Sequence, residues 1–196
     1  CQSSSSAAIS NTIAFYQRAI GDQSGIYNGT QYYRYPGFIN SGHVFFMSDS
    51  LTNGSVNYDG ITYNNVPLLY DEMIDELLTT DYRKENLVQL VKLKVERFTI
   101  FNHNFVHVAD SVLGISPGYY RQLYNGKSKV FAREAKTIDK RIINQFEVNT
   151  TVEMRNSYYV FINKRYRAIS GAKQLLNLMA DKRKAVSDYL KGKKLK

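Results

Sequence analysis

His103 and His107 stand four residues apart, the spacing at which a helix presents two imidazoles to one metal ion. Their neighbours point to a different element. Phe101, His103, Phe105 and His107 alternate with Asn102, Asn104, Val106 and Val108, which is the period of a strand. On a strand the two rings share a face but lie roughly 13 Å apart, at about 3.3 Å per residue. Metal–ligand bonds are about 2 Å long, so such a pair does not hold one ion. With His43 the only other histidine and Cys1 the only cysteine, no metal site is expected. Asp71, Glu72, Asp75 and Glu76 form the acidic cluster of the chain. Paired carboxylates serve glycoside hydrolysis or calcium binding. Catalytic pairs usually come from different elements, however, and this run lacks the glycine and alternating oxygen ligands of a calcium loop. A solvated turn is the expectation here.

Gly114-Ile115-Ser116-Pro117-Gly118 carries the G-x-S-x-G spacing of a hydrolase nucleophile elbow. That motif needs a strand before it, a helix after it, and an N–H on the residue following serine. Pro117 has no N–H, and a tyrosine-rich strand pattern follows instead of a helix. No catalytic constellation survives, so a non-enzyme is expected. No phosphate-cradling glycine loop or dinucleotide fingerprint is legible either, and no cofactor is expected. The aromatic residues interleave with turns and not with basic residues, which argues against a nucleic-acid partner.

Strands must position most of these residues. From Gly25 onward short alternating segments are punctuated by Asn28-Gly29, Asn53-Gly54, Asp59-Gly60 and Asn125-Gly126. Asn-Gly and Asp-Gly adopt the positive φ of type I′ turns, so each predicts a hairpin. Val56 and Tyr58 enter the Asp59-Gly60 turn on one face, and Ile61 and Tyr63 leave it. Pro67 confines its strand to an edge or a strand start. Further strands are predicted at 87–101, 103–109, 118–124, 128–136, 157–162 and 165–169, with longer connections at 110–117 and 138–156. Both ends read as helical. Ile9, Ile13, Tyr16 and Ile20 recur at helical spacing over 7–20, before Gly21. Ser170 and Asp181 are caps for two short helices near the end, the second closed by Gly192. The expected fold class is mainly β (α+β). It is a single open or curled antiparallel β-meander spanning 7–196, with an N-terminal helix and two short C-terminal helices.

At 196 residues, 43% hydrophobic and 22% charged, the chain has the composition of one globular domain. No apolar run approaches the roughly 20 residues of a membrane-spanning helix. The 16 tyrosines against no tryptophan suit half-buried strands, where the ring packs and the hydroxyl reaches water. The net charge of +9 is uneven: residues 1–126 hold 8 basic and 11 acidic side chains, residues 182–196 hold 7 basic and 1 acidic. Lys191, Lys193, Lys194 and Lys196 therefore form a candidate contact for an anionic surface.

Cys1 is followed by the polar run Gln2-Ser3-Ser4-Ser5-Ser6. This resembles the mature end of a bacterial lipoprotein, in which the cysteine sulfur carries a diacylglyceryl group and a polar tether, here 1–6, leads to the folded domain. A lone thiol is a liability in an oxidising envelope, which favours its being blocked by lipid. Two further stretches, Gly54-Ser55-Val56-Asn57-Tyr58-Asp59-Gly60 through Val66-Pro67-Leu68-Leu69-Tyr70-Asp71, and Gly118-Tyr119-Tyr120-Arg121-Gln122-Leu123-Tyr124-Asn125-Gly126-Lys127, resemble an uncharacterised family of Bacteroidota envelope proteins. The lysine-rich helical ending does so too. The resemblance implies an envelope location and brings no established activity, and the N-terminal cysteine departs from many of its members. In that lineage Asp49-Ser50-Leu51 and Asp110-Ser111-Val112 resemble Asp-Ser/Thr-hydrophobic O-glycosylation sites, with Ser50 and Ser111 the acceptors.

These readings converge on a non-catalytic cell-envelope lipoprotein. It is expected at the bacterial outer membrane, lipid-anchored through Cys1, as an accessory or scaffold subunit of an outer-membrane protein complex. The alternative is a carrier that holds a lipid or glycan on a curled, tyrosine-lined sheet.

Overall fold

The structure, a computed structural model, describes residues 8, 11, 12, 15, 25–109, 114–126, 128–162 and 164–178. The chain forms two compact units. One comprises residues 1–39 and 43–101, the other residues 40–42 and 102–196. Both are built from antiparallel strands, as the alternation of the sequence requires.

The first unit contains β1 (Thr30–Gln31), β2 (Thr52–Tyr58), β3 (Ile61–Asp71), β4 (Glu76–Thr80), β5 (Leu87–Gln89) and β6 (Val95–Ile100). Their order is β1-β5-β4-β3-β2-β6, so β6 returns to the outer side of β2 and departs from a plain meander. Asp59 and Gly60 make the expected I′ turn, with φ of 55° and 76°. Pro67 lies within β3 opposite Asn53, and the pairing of β3 with β4 begins only at Leu69. The expected strand 87–101 is broken by a 3₁₀ turn at Lys92–Lys94, which lets β5 pair with β4 while β6 pairs with β2. Leu68–Asp71 and Leu77–Thr80 each contain four consecutive buried residues, so both faces are covered there. Tyr70 packs edge-on against Phe98, ring centroids 5.4 Å apart.

Two of the four Asx-Gly pairs do other work. Asn53-Gly54 lies inside β2, where a Cβ on Gly54 would collide with the Thr99 carbonyl oxygen of β6. The extra residue of the adjoining β-bulge is Asn65, at φ 56°. Asn28-Gly29 precedes β1 and packs on the Gln89 backbone. In both cases the glycine answers to a neighbouring strand and not to a turn.

The second unit is a meander of β7 (His103–Val108), β8 (Gly118–Asn125), β9 (Lys129–Asn144), β10 (Glu147–Ile162) and β11 (Arg165–Ile169). Asn125-Gly126 leads from β8 into the turn towards β9, and the Gly126 N–H donates to the Ser128 carbonyl at 3.0 Å. Gly126 does not, however, take the positive φ expected of it. Ile115, Tyr120 and Phe131 form a buried cluster, joined by Val106, Val108, Tyr159 and Tyr166. The expected connection at 138–156 is instead the outer part of a long hairpin, β9 and β10 being 16 residues each. A strand period is present in the β10 half, where Val148, Thr150, Val152 and Met154 alternate with polar residues, whereas Ile138-Asp139-Lys140-Arg141-Ile142-Ile143 of β9 shows none. Residues 40–42 run beside β10, with the Asn40 N–H donating to the Thr150 carbonyl at 2.8 Å.

One C-terminal helix, α1 (Ala172–Leu178), follows Ser170, whose N–H donates to Gln174 Oε1 at 2.8 Å. The expected second helix lies outside the described residues. Of the expected helix over 7–20, residues 8, 11, 12 and 15 are described and helical.

Candidate functional site

The acidic cluster falls at the β3–β4 connection, and the structure corrects the expectation of a solvated turn. Asp71 ends β3 completely buried, and Glu72 is 3% exposed. The reason is a chain segment laid against β3: the Phe46 N–H donates to the Tyr70 carbonyl at 2.8 Å, and the Glu72 N–H to the Val44 carbonyl at 3.0 Å. Burial of a carboxylate demands partners. Tyr32 donates its hydroxyl to Asp71 Oδ2 at 2.7 Å, while Asp71 Oδ1 accepts the N–H groups of Met73 at 2.9 Å and Ile74 at 3.2 Å. Tyr70 donates to Asp75 Oδ1 at 2.7 Å. Lys92 from the 3₁₀ turn lies 3.3 Å from Asp75 Oδ2 and 3.2 Å from Glu76 Oε1.

The electrostatics follow from that packing. Burial, reinforced by the bond to Asp71, raises the Tyr32 phenol well above the ordinary tyrosine range, so it stays a neutral donor. Burial also raises the Glu76 carboxyl, and Lys92 opposes the shift only in part. A raised carboxyl is a trait of general acids. Here the ammonium of Lys92 sits on it, Asp71 Oδ1 accepts the N–H groups that close the turn, and Asp71 Oδ2 accepts the Tyr32 hydroxyl. The arrangement holds the β3–β4 turn against the rest of its unit.

The remaining sequence candidates separate in space. His103 and His107 lie on strand β7, as the alternation predicts, and His107 packs against Tyr119 with ring centroids 5.2 Å apart. Ser116 precedes a strand, β8, and its carbonyl accepts the Tyr120 hydroxyl at 2.7 Å. Gly114 adopts φ +87° and presses on the Tyr166 carbonyl, which accounts for the glycine without an elbow. Ser50 is exposed in the segment before β2, and its hydroxyl reaches Asp49 Oδ1 at 3.2 Å. It is therefore accessible to a modifying enzyme. Cys1, Ser111, Lys191, Lys193, Lys194 and Lys196 lie outside the described residues.

No sequence motif marks the far end of the β9–β10 hairpin. Ile142 is 79% exposed, Phe146 90%, and Ile143 and Val148 are exposed beside them. Val148 pairs directly with Ile142, and Ile143 is the extra residue of a bulge next to that pair. The turn is ordered: Asn144 Oδ1 accepts the Phe146 N–H at 2.9 Å, and Asn144 Nδ2 donates to Glu147 Oε2 at 3.3 Å. Without a glycine or proline at the turn, only the alternation of residues 148–154 signalled this hairpin.

Compared with protein-family models, with curated proteins and with solved structures, the chain matches none of them.

Proposed function

We propose that the chain is a non-catalytic cell-envelope lipoprotein, tethered to the bacterial outer membrane through Cys1, and that it serves as an accessory or scaffold subunit of an outer-membrane protein assembly. The observation that carries this reading is the ordered, apolar, solvent-facing end of the β9–β10 hairpin. Exposed apolar side chains such as Phe146 on a hydrogen-bonded hairpin suit contact with something larger than a substrate. The carboxylates of the acidic cluster meanwhile serve the β3–β4 turn. A lipid or glycan carrier calls for an apolar or aromatic-lined cavity. Among the described residues, one cleft of about 400 Å³ between β11 and α1 is lined by Arg167, Ala168, Gln174, Asn177 and Leu178, none of them aromatic.

The anchor is tested on native protein. Lipidated Cys1 adds the mass of its acyl groups, and Cys1→Ser releases the protein from membranes to the soluble fraction, since each buried CH₂ contributes about 0.8 kcal/mol. An unmodified N-terminus by intact-mass spectrometry rules the anchor out. The scaffold role is tested by cross-linking in intact envelopes, where the expected adducts are with integral outer-membrane proteins.

A further inference from the structure

We propose that the surface formed by β1 and the β4–β5 loop, residues 81–86, is a binding patch for a neutral saccharide. Tyr33 and Tyr82 are its stacking rings, and the amides of Gln31 and Asn86 are its hydrogen-bonding groups. Neither the anchor nor the assembly proposed above enters this inference. Tyr32 is buried against Asp71, so strand alternation turns Gln31 and Tyr33 to the opposite side, where both are exposed. A line of side-chain bonds starts there. The Tyr33 hydroxyl donates to Gln31 Oε1 at 3.1 Å, Gln31 Nε2 to Asn86 Oδ1 at 3.3 Å, and Asn86 Nδ2 to Asp81 Oδ2 at 2.9 Å. Tyr33, at one end, is 77% exposed. Tyr82 follows Asp81 at the other end, 54% exposed and braced edge-on by Tyr27 at a centroid distance of 5.6 Å.

The loop that presents this line is closed on itself. The Asp81 N–H donates to the Asn86 carbonyl at 2.9 Å, and the Asp81 carboxylate accepts the N–H groups of Glu85 at 2.8 Å and Asn86 at 3.2 Å. These bonds, that of the Asn86 side chain foremost, hold the Asp81 carboxyl below the ordinary range, so it stays an ionised acceptor. Each amide nitrogen carries a second N–H, and the Tyr33 oxygen and the amide oxygens keep acceptor capacity. Donors and acceptors therefore alternate along the line, as they do along the vicinal hydroxyls of a sugar, each of which both donates and accepts. The rings supply the other half of such recognition, because the negative face of an aromatic ring attracts the C–H face of a pyranose. Bonds already made within the patch order its side chains, which lowers the cost of binding. Charge points to a neutral ligand. Within the loop Asp81 and Glu85 stand against Arg83 and Lys84, while Arg34 lies over the Phe45 ring and donates to the Asp49 carbonyl. Two rings offer on the order of 400 Å², below the roughly 800 Å² that each partner of a stable protein complex buries. That favours a small polar ligand over a protein.

The test uses the full chain with Cys1→Ser, so that no acyl group takes part. The probes are soluble maltohexaose, laminarihexaose, cellohexaose, mannohexaose and chitohexaose, read by isothermal titration and saturation-transfer NMR. At least one should bind, with saturation passing from tyrosine rings to its C–H protons. Tyr33→Ala and Gln31→Ala should each weaken that binding about tenfold, and Tyr33→Phe should weaken it less, since it keeps the ring. Phe146→Ala, in the other unit, should leave it unchanged. Thermal midpoints of these variants should match the parent, because the altered side chains are exposed. Absence of binding to every probe overturns the proposal. So does binding that survives both alanine variants, or a preference for polygalacturonate that added salt removes, which marks a charged surface instead. Acylation of Cys1 and cross-linking in envelopes are read separately, so the proposed function and this patch fail independently.

Discussion

Tyr32 shows how a buried carboxyl group is given a partner inside this fold. Its hydroxyl supplies Asp71 with a side-chain donor at 2.7 Å, and Tyr32→Phe removes it while leaving the ring in place. The expected loss is about 1–3 kcal/mol, the cost of leaving a buried polar group one bond short, measured by urea denaturation at neutral pH. The folded-state pKa of Tyr32 is raised, so its contribution is complete below the ordinary tyrosine value near 10 and is lost as pH climbs through the higher folded value. Glu76 obeys the same sign at acid pH. Burial raises its carboxyl, so folding is favoured by the protonated form, and its contribution falls as pH rises from about 4.5 through the raised value. Glu76→Gln should therefore flatten the pH dependence of the thermal midpoint just above pH 4.5, and an unchanged slope counts against it. Sequence reading located the acidic run but misjudged its surroundings, because burial of Asp71 depends on residues 44–46 and on Tyr32, far away in the chain.

At the scale of elements, glycines separate what a local pattern encodes from what a neighbour imposes. Gly60 occupies positive φ within an Asp-Gly turn, and the dipeptide alone predicts this. Gly60→Val should cost about 1–3 kcal/mol through backbone strain, with no clash to relieve. Gly54 is different. Gly54→Val drives a Cβ into the Thr99 carbonyl and the Leu68 side chain, so it should separate β2 from β6 and lower the thermal midpoint further than Gly60→Val does. Equal midpoints for the two variants would mean that the close approach of β2 and β6 is not a constraint. The β9–β10 hairpin is the converse case: β10 alternates legibly over 148–154, but the Asn144–Glu147 turn carries no glycine or proline to announce it.

At the scale of the whole molecule, the decisive contacts join distant parts of the chain. Asn40 is bound to Thr150 twice, through its own N–H and through Oδ1, which accepts the Thr150 N–H at 2.8 Å. Thr150 is 5% exposed, so the loss of that acceptor leaves a buried donor without its partner. Asn40→Ala should cost about 1–3 kcal/mol and raise the hydrogen-exchange rate of the Thr150 amide selectively, with the β2–β3 amides unaffected. Uniformly faster exchange would mean that the segment 40–42 supports more than the strand it lies beside. Strand order is set in the same non-local way: β6 pairs with β2, and β1 with β5, which no property of the intervening turns specifies.

The sequence by itself determined the β class, the strand assignment of His103 and His107, the Asp59-Gly60 hairpin and β11, because period-two alternation and turn chemistry are properties of a few adjacent residues. Loss of the elbow reading at Ser116 was equally local, since Pro117 has no N–H to offer. Only the tertiary structure decided that Asp71 and Glu72 are buried, that Gly54 answers to Thr99, and that Phe146, Ile142, Ile143 and Val148 stand clear of both strands' neighbours. Burial is a relation between segments. An alternating run such as Val148, Thr150, Val152 has the same pattern whether its apolar face meets a core or water, and the deciding partner, here residues 40–42 for Thr150 and nothing described for Phe146, lies elsewhere in the chain.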